Sequence, residues 1–384
     1  MTTIEILKTL IAFPTISADS NMKLIDYCSD QLIKVGAEVK IIKNDNGTKA
    51  NLYATIGPRN IPGVMLSGHT DVVPVEGQSW SVPPFEMTNK DNKIYGRGTA
   101  DMKSFVACAL HAAIKASEMN LTTPLHLAFS YDEEIGCVGV RSMIEMLKAA
   151  PFVPNFCIVG EPTLMQIATG HKGKVNVSVK FTGKEAHSAL STSGLNAIYL
   201  ASEMINEIRL IQDEIKKQFA HDDEYEIPHT TLHVGKIEGG VALNIVPNSA
   251  SFLFEIRNLP EDDPNIILTK IRKSAESILT KYLKDFPTAK IHIEVINQYP
   301  SLRSSKNSDV VNLLKSLTGN NSTFKVSFGT EGGLFSNELK IPTAICGPGS
   351  MSQGHKPDEY VSIDQINKCE EILSQLLLKL QTGL

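Results

Sequence analysis

Two hydrophobic periods run along this chain, and the switches between them mark its elements. Ile4, Leu7, Leu10 and Ile11 share one face of a helix predicted over residues 3–12, which Phe13-Pro14 breaks. A second helix is predicted over 24–35, with Gly36 as its stop. Short apolar runs predict strands at 39–42 and 52–56. An alanine-rich helix follows over 102–116, and another near 140–149. Four more apolar runs end in residues that can do chemistry. Val64-Met65-Leu66-Ser67-Gly68 leads into His69 and Asp71, and the run 125–130 leads into Asp132-Glu133-Glu134. Residues 156–160 lead into Glu161, and 343–346 lead through Gly347-Pro348-Gly349 towards His355. Ligands of open α/β sheets bind beyond the carboxyl ends of the strands. The pattern therefore predicts one site assembled from four strand ends.

From residue 174 the pattern changes. Strands at 175–181, 231–237, 249–257 and 290–296 are interleaved with helices at 196–218 and 265–283. That order, β-α-β-β-α-β, is ferredoxin-like. The α/β pattern then resumes with a helix at 308–317, a short strand near 325–328, the 343 strand and a final helix at 363–380. The expected organisation is one domain made of 1–174 and 298–384, with 175–297 inserted as a second. Residues 74–91 read as a loop. Residues 94–101 read as a glycine-rich turn whose last residue, Asp101, stands at the entry to a helix.

Composition narrows the partners. A formal charge of −5 and a pI near 6.1 argue against nucleic acid or an anionic membrane surface. No apolar run is long enough to span a bilayer, and the N-terminus lacks the pattern of a signal peptide. Six cysteines without a C-x-x-C pair read as buried free thiols, which fits a reducing, cytoplasmic setting.

Histidine and carboxylates without thiolate suit zinc, manganese or cobalt in a catalytic site. Several carboxylates can hold two ions that share a bridge, and a trapped water still needs a base. In an extended segment Asp71 points the same way as His69 and can fix its tautomer. Taken singly, each residue has a plainer reading. An Asp before a helix is as readily an N-cap as a ligand, and a Glu-Glu pair is usually solvated. Recurrence at four strand ends favours the metal. Cys137 has no His-Asn pattern beside it and reads as packing.

The same residues carry a resemblance. Ser67-Gly68-His69-Thr70-Asp71, Tyr95-Gly96-Arg97-Gly98-Thr99-Ala100-Asp101-Met102-Lys103, Asp132-Glu133-Glu134 and Gly160-Glu161-Pro162-Thr163 stand in one order over nearly the whole chain. In this the chain resembles the two-zinc amidohydrolases that include acetylornithine deacetylases, succinyl-diaminopimelate desuccinylases, aminoacylases and glutamate-releasing carboxypeptidases. The resemblance implies a zinc-exopeptidase-like catalytic domain with an inserted dimerisation domain. It implies two divalent ions, zinc foremost, with cobalt or manganese as alternatives. His69, Asp101 and Glu161 would hold one, and Asp101, Glu134 and His355 the other. Glu133 would be the general base and Asp71 the partner of His69. It also implies a cis peptide after Asp101. His187 would cross from the partner of a homodimer to stabilise the oxyanion. Asn244 and Arg257 would contact the substrate carboxylate.

The segment from Gly347 to Tyr360 and Gly170-His171-Lys172-Gly173 are similar to the acetylornithine deacetylase branch. That branch implies hydrolysis of N2-acetyl-L-ornithine to L-ornithine and acetate, a step of arginine synthesis. A desuccinylase or a broader N-acyl amino acid hydrolase is the alternative within the class. A non-catalytic binding module is the alternative outside it. Gly329-Thr330-Glu331-Gly332-Gly333 stands where the desuccinylase branch usually carries Gly-Thr-Ser-Asp-Gly. There Thr330 and Glu331 are candidate substrate contacts. Glu331 reads equally as a distal-ammonium partner or as a turn residue.

Overall fold

The computed structural model describes every residue except Ala18. The chain divides into two compact units. One comprises Met1–Gly170, Leu302–Lys325 and Thr330–Leu384, and the other comprises His171–Ser301 and Val326–Gly329. The divisions fall a few residues from 174 and 298. The strand Ile167–His171 runs almost directly into Gly173–Thr182, so no change of composition marks the junction.

The first unit is built on a nine-stranded mixed sheet. Its centre is four parallel strands in the order Leu125–Ser130, Val64–His69, Phe156–Pro162 and Thr343–Gly347. Every residue of the first two is buried, as parallel strands covered on both faces require. Antiparallel strands Ala50–Ile56 and Glu38–Lys43 extend one edge. The chain leaves the His69 strand, adds the Leu125 strand on one side, then returns to add the Phe156 strand on the other. That reversal of direction is the topological switch point at which α/β sheets bind ligands. The helices Thr3–Ile11, Ser104–Ala116 and Ile363–Thr382 contribute to the core against these strands.

Three local features depart from the sequence reading. The helix predicted from 102 begins as a π-helical turn, Thr99–Lys103, and becomes α-helical only at Ser104. Asp101 and Met102 leave helical angles there, and the peptide between them is cis, as the resemblance implied. The glycine-rich turn is in part a strand: Lys93–Tyr95 pairs with Thr88–Lys90 and with Tyr360–Ser362. A helix at Gly332–Leu339 also stands where the sequence reading placed none.

The second unit has the β-α-β-β-α-β order. Its antiparallel sheet runs Thr231–Gly239, Ser249–Asn258, Gly173–Thr182 and Lys290–Tyr299. Val175, Val177, Val179 and Phe181 alternate inwards and pack with the buried stripes of helices Ala197–Gln218 and Pro264–Thr280. Asn196 caps the longer helix, its Oδ1 accepting from Ile198 N at 2.9 Å. No helix among the described residues is long and apolar enough to cross a membrane.

Candidate metal centre

The carboxyl ends of the parallel strands bring His69, Glu133, Glu134 and Glu161 together, the Thr99–Lys103 turn adds Asp101, and the segment after Thr343–Gly347 adds His355. His69 ends its strand, and its Nδ1 lies 2.9 Å from the Asp71 carbonyl oxygen and 3.5 Å from Asp71 Oδ1. A proton on Nδ1 leaves the Nε2 lone pair free for a metal. That nitrogen faces Asp101 Oδ1 at 3.0 Å and Glu161 Oε1 at 3.8 Å. The other Asp101 oxygen, Oδ2, faces His355 Nε2 at 3.1 Å, and Glu134 Oε2 lies 3.0 Å from the same nitrogen. Each Asp101 oxygen thus addresses a different imidazole.

Asp71 does more than orient His69. Its Oδ1 accepts from Glu133 N at 3.1 Å and its Oδ2 from Glu134 N at 3.3 Å, while Ser17 Oγ donates to Oδ2 at 2.8 Å. The carboxylate therefore holds the turn that carries both glutamates. Asp132 faces away and is paired with Lys49 Nζ at 2.6 Å. Buried Cys137 donates its thiol to Glu133 Oε1 at 3.3 Å, so it touches the candidate base as well as packing.

Asp71, Asp101, Glu133, Glu134 and Glu161 share two imidazoles, buried His69 and exposed His355. Burial, reinforced by the neighbouring carboxylates, pushes Glu133 up to about 8. Burial and then Asp101 push Glu134 up to about 7, and the same pair of causes raises Glu161 well above the usual range. Asp101 is held well below its ordinary value, because His355 and His69 outweigh the opposing effect of burial. Asp101 and Glu134 raise His355 to about 10. Burial opposes the charged form of His69, yet Asp101 and Asp71 carry its pKa well above the usual value. This surplus of buried negative charge is what divalent cations relieve. The donors also converge. Ligand atoms of His69, Glu133 and Glu161 lie within 4.8 Å of one another, as do those of His69, Asp101 and Glu134. Histidine nitrogen and carboxylate oxygen without thiolate suit zinc, cobalt or manganese. The residues fit the metals.

Thr330 and Glu331 lie in the same unit but are fully buried. Thr330 Oγ1 accepts from Gly332 N at 3.0 Å at the start of the Gly332–Leu339 helix. Glu331 is 1% exposed, Ser67 Oγ lies 3.4 Å from its Oε2, and burial pushes it up to about 7. Three candidates belong to the other unit. His187 is exposed; its Nδ1 accepts from Ala189 N at 3.1 Å, and Ser188 N donates to the Asn244 carbonyl at 3.0 Å. His187 and Asn244 are therefore neighbours. Arg257 donates to Glu255 Oε1 at 3.1 Å and to the Tyr299 hydroxyl at 3.2 Å.

The family model of peptidase family M20/M25/M40 matches residues 65–379. The acetylornithine deacetylase of Pasteurella multocida (strain Pm70) is 33% identical over 388 residues, spanning 99% of this chain and 98% of that protein. That of Vibrio campbellii (strain ATCC BAA-1116) is 31% identical over 382 residues, spanning 98% of each. Among solved structures, the M20 family metallo-carboxypeptidase Sso-CP2 of Sulfolobus solfataricus matches with a TM-score of 0.80 at 22% identity, covering 99% of both chains. The Bacillus subtilis YXEP protein, a dinuclear metal binding peptidase of the M20 family, matches with a TM-score of 0.69 at 15% identity, covering 100% of this chain and 98% of that one. At these identities the two structures speak for the fold.

Proposed function

The chain belongs to peptidase family M20/M25/M40 and is a metal-dependent hydrolase, and on that premise we propose that it deacetylates N2-acetyl-L-ornithine. One observation carries the substrate: relatives described as acetylornithine deacetylases align over 98–99% of this chain at 30–33% identity. The products are L-ornithine and acetate, as arginine synthesis requires.

His69, Asp101 and Glu161 would hold one ion, and Asp101, Glu134 and His355 the other, with zinc the expected metal. Bound ions polarise the amide carbonyl and make water a better nucleophile at neutral pH. Glu133 is the base: it takes a proton from the attacking water and hands it to the leaving amine nitrogen. Burial and the neighbouring carboxylates push its pKa up to about 8, and cations held by those neighbours would lower it. Asp71 keeps Glu133 and Glu134 in place through their backbone amides. Arg257, Asn244 and His187 are proposed to recognise the substrate carboxylate and the developing oxyanion, His187 from the partner of a homodimer. Val241 and Leu243, almost wholly exposed after the strand Thr231–Gly239, would be covered by such pairing. Glu331 and Thr330 are buried, and we propose that they support the strand ends beneath the substrate.

Kinetics on N-acetyl-ornithine and N-succinyl-diaminopimelate test the assignment. We expect kcat/KM at least a hundredfold higher for the acetyl substrate, with activity abolished by chelation and restored by zinc or cobalt. A preference for the succinyl substrate would move the enzyme to the desuccinylase branch.

A further inference from the structure

We infer that Glu359 is a positioning residue that sets the Asp101–His355 spacing, so that one of the two metal positions depends on it more than the other. The inference rests on the two-metal reading above. Glu359 is 1% exposed, and both of its carboxylate oxygens are fully engaged. Oε1 accepts from Ala100 N at 2.8 Å and Asp101 N at 3.1 Å. Oε2 accepts from Arg97 Nη1 at 2.7 Å and Gly98 N at 3.1 Å. The Glu359 carbonyl accepts from Gly96 N at 3.0 Å. Backbone amides converging on one carboxylate form an anion nest, here filled by the protein itself.

The chain on either side of this contact makes it a clamp. Glu359 lies four residues beyond His355 and directly precedes the strand Tyr360–Ser362, which pairs with Lys93–Tyr95. Arg97 also donates to the Lys356 carbonyl at 3.3 Å and, through Nη2, to Gln78 Oε1 at 2.5 Å. Gln78 in turn donates to the His355 carbonyl at 2.9 Å. Asp101 is thus held by its own amide and His355 by its own carbonyl, and both connections lead to the Arg97–Glu359 pair. The two side chains meet at 3.1 Å. His69 and Glu161, by contrast, sit on the central strands Val64–His69 and Phe156–Pro162, held by the sheet ladder. Loosening the clamp therefore displaces both Asp101 and His355 on one side of the site, but only the shared Asp101 on the side that His69 and Glu161 complete. His355 also has a left-handed φ of 62°, a conformation that surrounding contacts must maintain.

Glu359→Gln in this chain keeps the volume but turns an NH2 group towards backbone donors, so about half the accepting bonds are lost. The metal-free protein is titrated with zinc in competition with a chromogenic chelator, and the cobalt absorption spectrum is followed in parallel. The expected result is a first equivalent bound within threefold of the parent affinity and a second weakened at least tenfold. Because the buried substitution can impair folding, Gln78→Ala is titrated as well. It cuts only the outer link, and a three- to tenfold weakening confined to the second equivalent is expected, with thermal midpoint unchanged. Equal affinities in both variants and the parent would overturn the inference, as would equal weakening of both equivalents. A parent that binds one equivalent would overturn the two-metal reading, and the selectivity argued here with it.

Discussion

Glu133 stands beside Glu134 on a turn that Asp71 fixes from below, and its Oε1 accepts the Cys137 thiol. A base in that position is tested by removing its proton affinity while keeping its shape. Glu133→Gln should retain two metal equivalents and lose about two to four powers of ten in kcat, the usual contribution of general base catalysis. Turnover at the parent rate would end the assignment. The Asp71 contacts explain why adjacent glutamates can serve separate tasks: their amides share one acceptor while their side chains diverge, Glu134 towards His355 and Glu133 towards Cys137.

At the scale of elements, the packing of the Ser104–Ala116 helix against the strand Phe156–Pro162 sets how closely the site can be assembled. A β-carbon on Gly160 would fall 1.9 Å from Phe105 Cγ. The residue before Glu161 must therefore lack a side chain for the aromatic ring to lie against the strand. Gly160→Ala should destabilise the protein by about 3 kcal/mol or more, since overpacking a buried interface forces backbone shifts. Urea denaturation of Gly160→Ala, Phe105→Ala and the double variant checks the cause. The double variant should be less destabilised than the two singles together, because the ring is what the methyl meets. Strict additivity would show that the glycine matters for another reason.

For the whole molecule, acid stability and subunit exchange are the informative measurements. His126 is buried in the strand Leu125–Ser130, stacked on Tyr53 and 3.0 Å from Thr55 Oγ1. Burial lowers its pKa from 6.5 to about 4. The unfolded chain thus binds a proton below pH 6.5 that the folded chain refuses until about pH 4, so this group's contribution to stability falls as pH drops through that window. Between pH 7.5 and 5 the parent should lose about 2 kcal/mol more than His126→Gln. Parallel pH profiles for the two proteins would remove His126 from the acid limb. The proposed homodimer makes a separate prediction. His187→Ala and Glu133→Gln, each slow alone, should recover roughly a quarter of parent activity when equal amounts exchange subunits, because each mixed dimer has one intact site. Mixed dimers without recovery would confine His187 to its own subunit.

The alternation of strand runs, the helical periods, the β-α-β-β-α-β order and the polar residues at four strand ends were all legible from the chain alone. These are local: side-chain period and the residues that terminate a run appear in the sequence itself. That His69, Asp101, Glu134 and His355 share one cluster was expected from those ends and from resemblance, but their distances belong to the fold. Three features were decided only in three dimensions. The helix before Ser104 gives way to a turn because Glu359, 258 residues on, accepts the amides of Ala100 and Asp101. The Gly332–Leu339 helix forms despite two glycines at its start, with Leu334, Phe335 and Leu339 buried against tertiary neighbours that outweigh weak local propensity. Asp71 spends its carboxylate on the Glu133 and Glu134 amides, a pairing of residues 62 and 63 positions apart. Periodicity records which face of an element is apolar; it carries no record of which distant carboxylate will meet an unpaired backbone amide, and that meeting is what shaped this site.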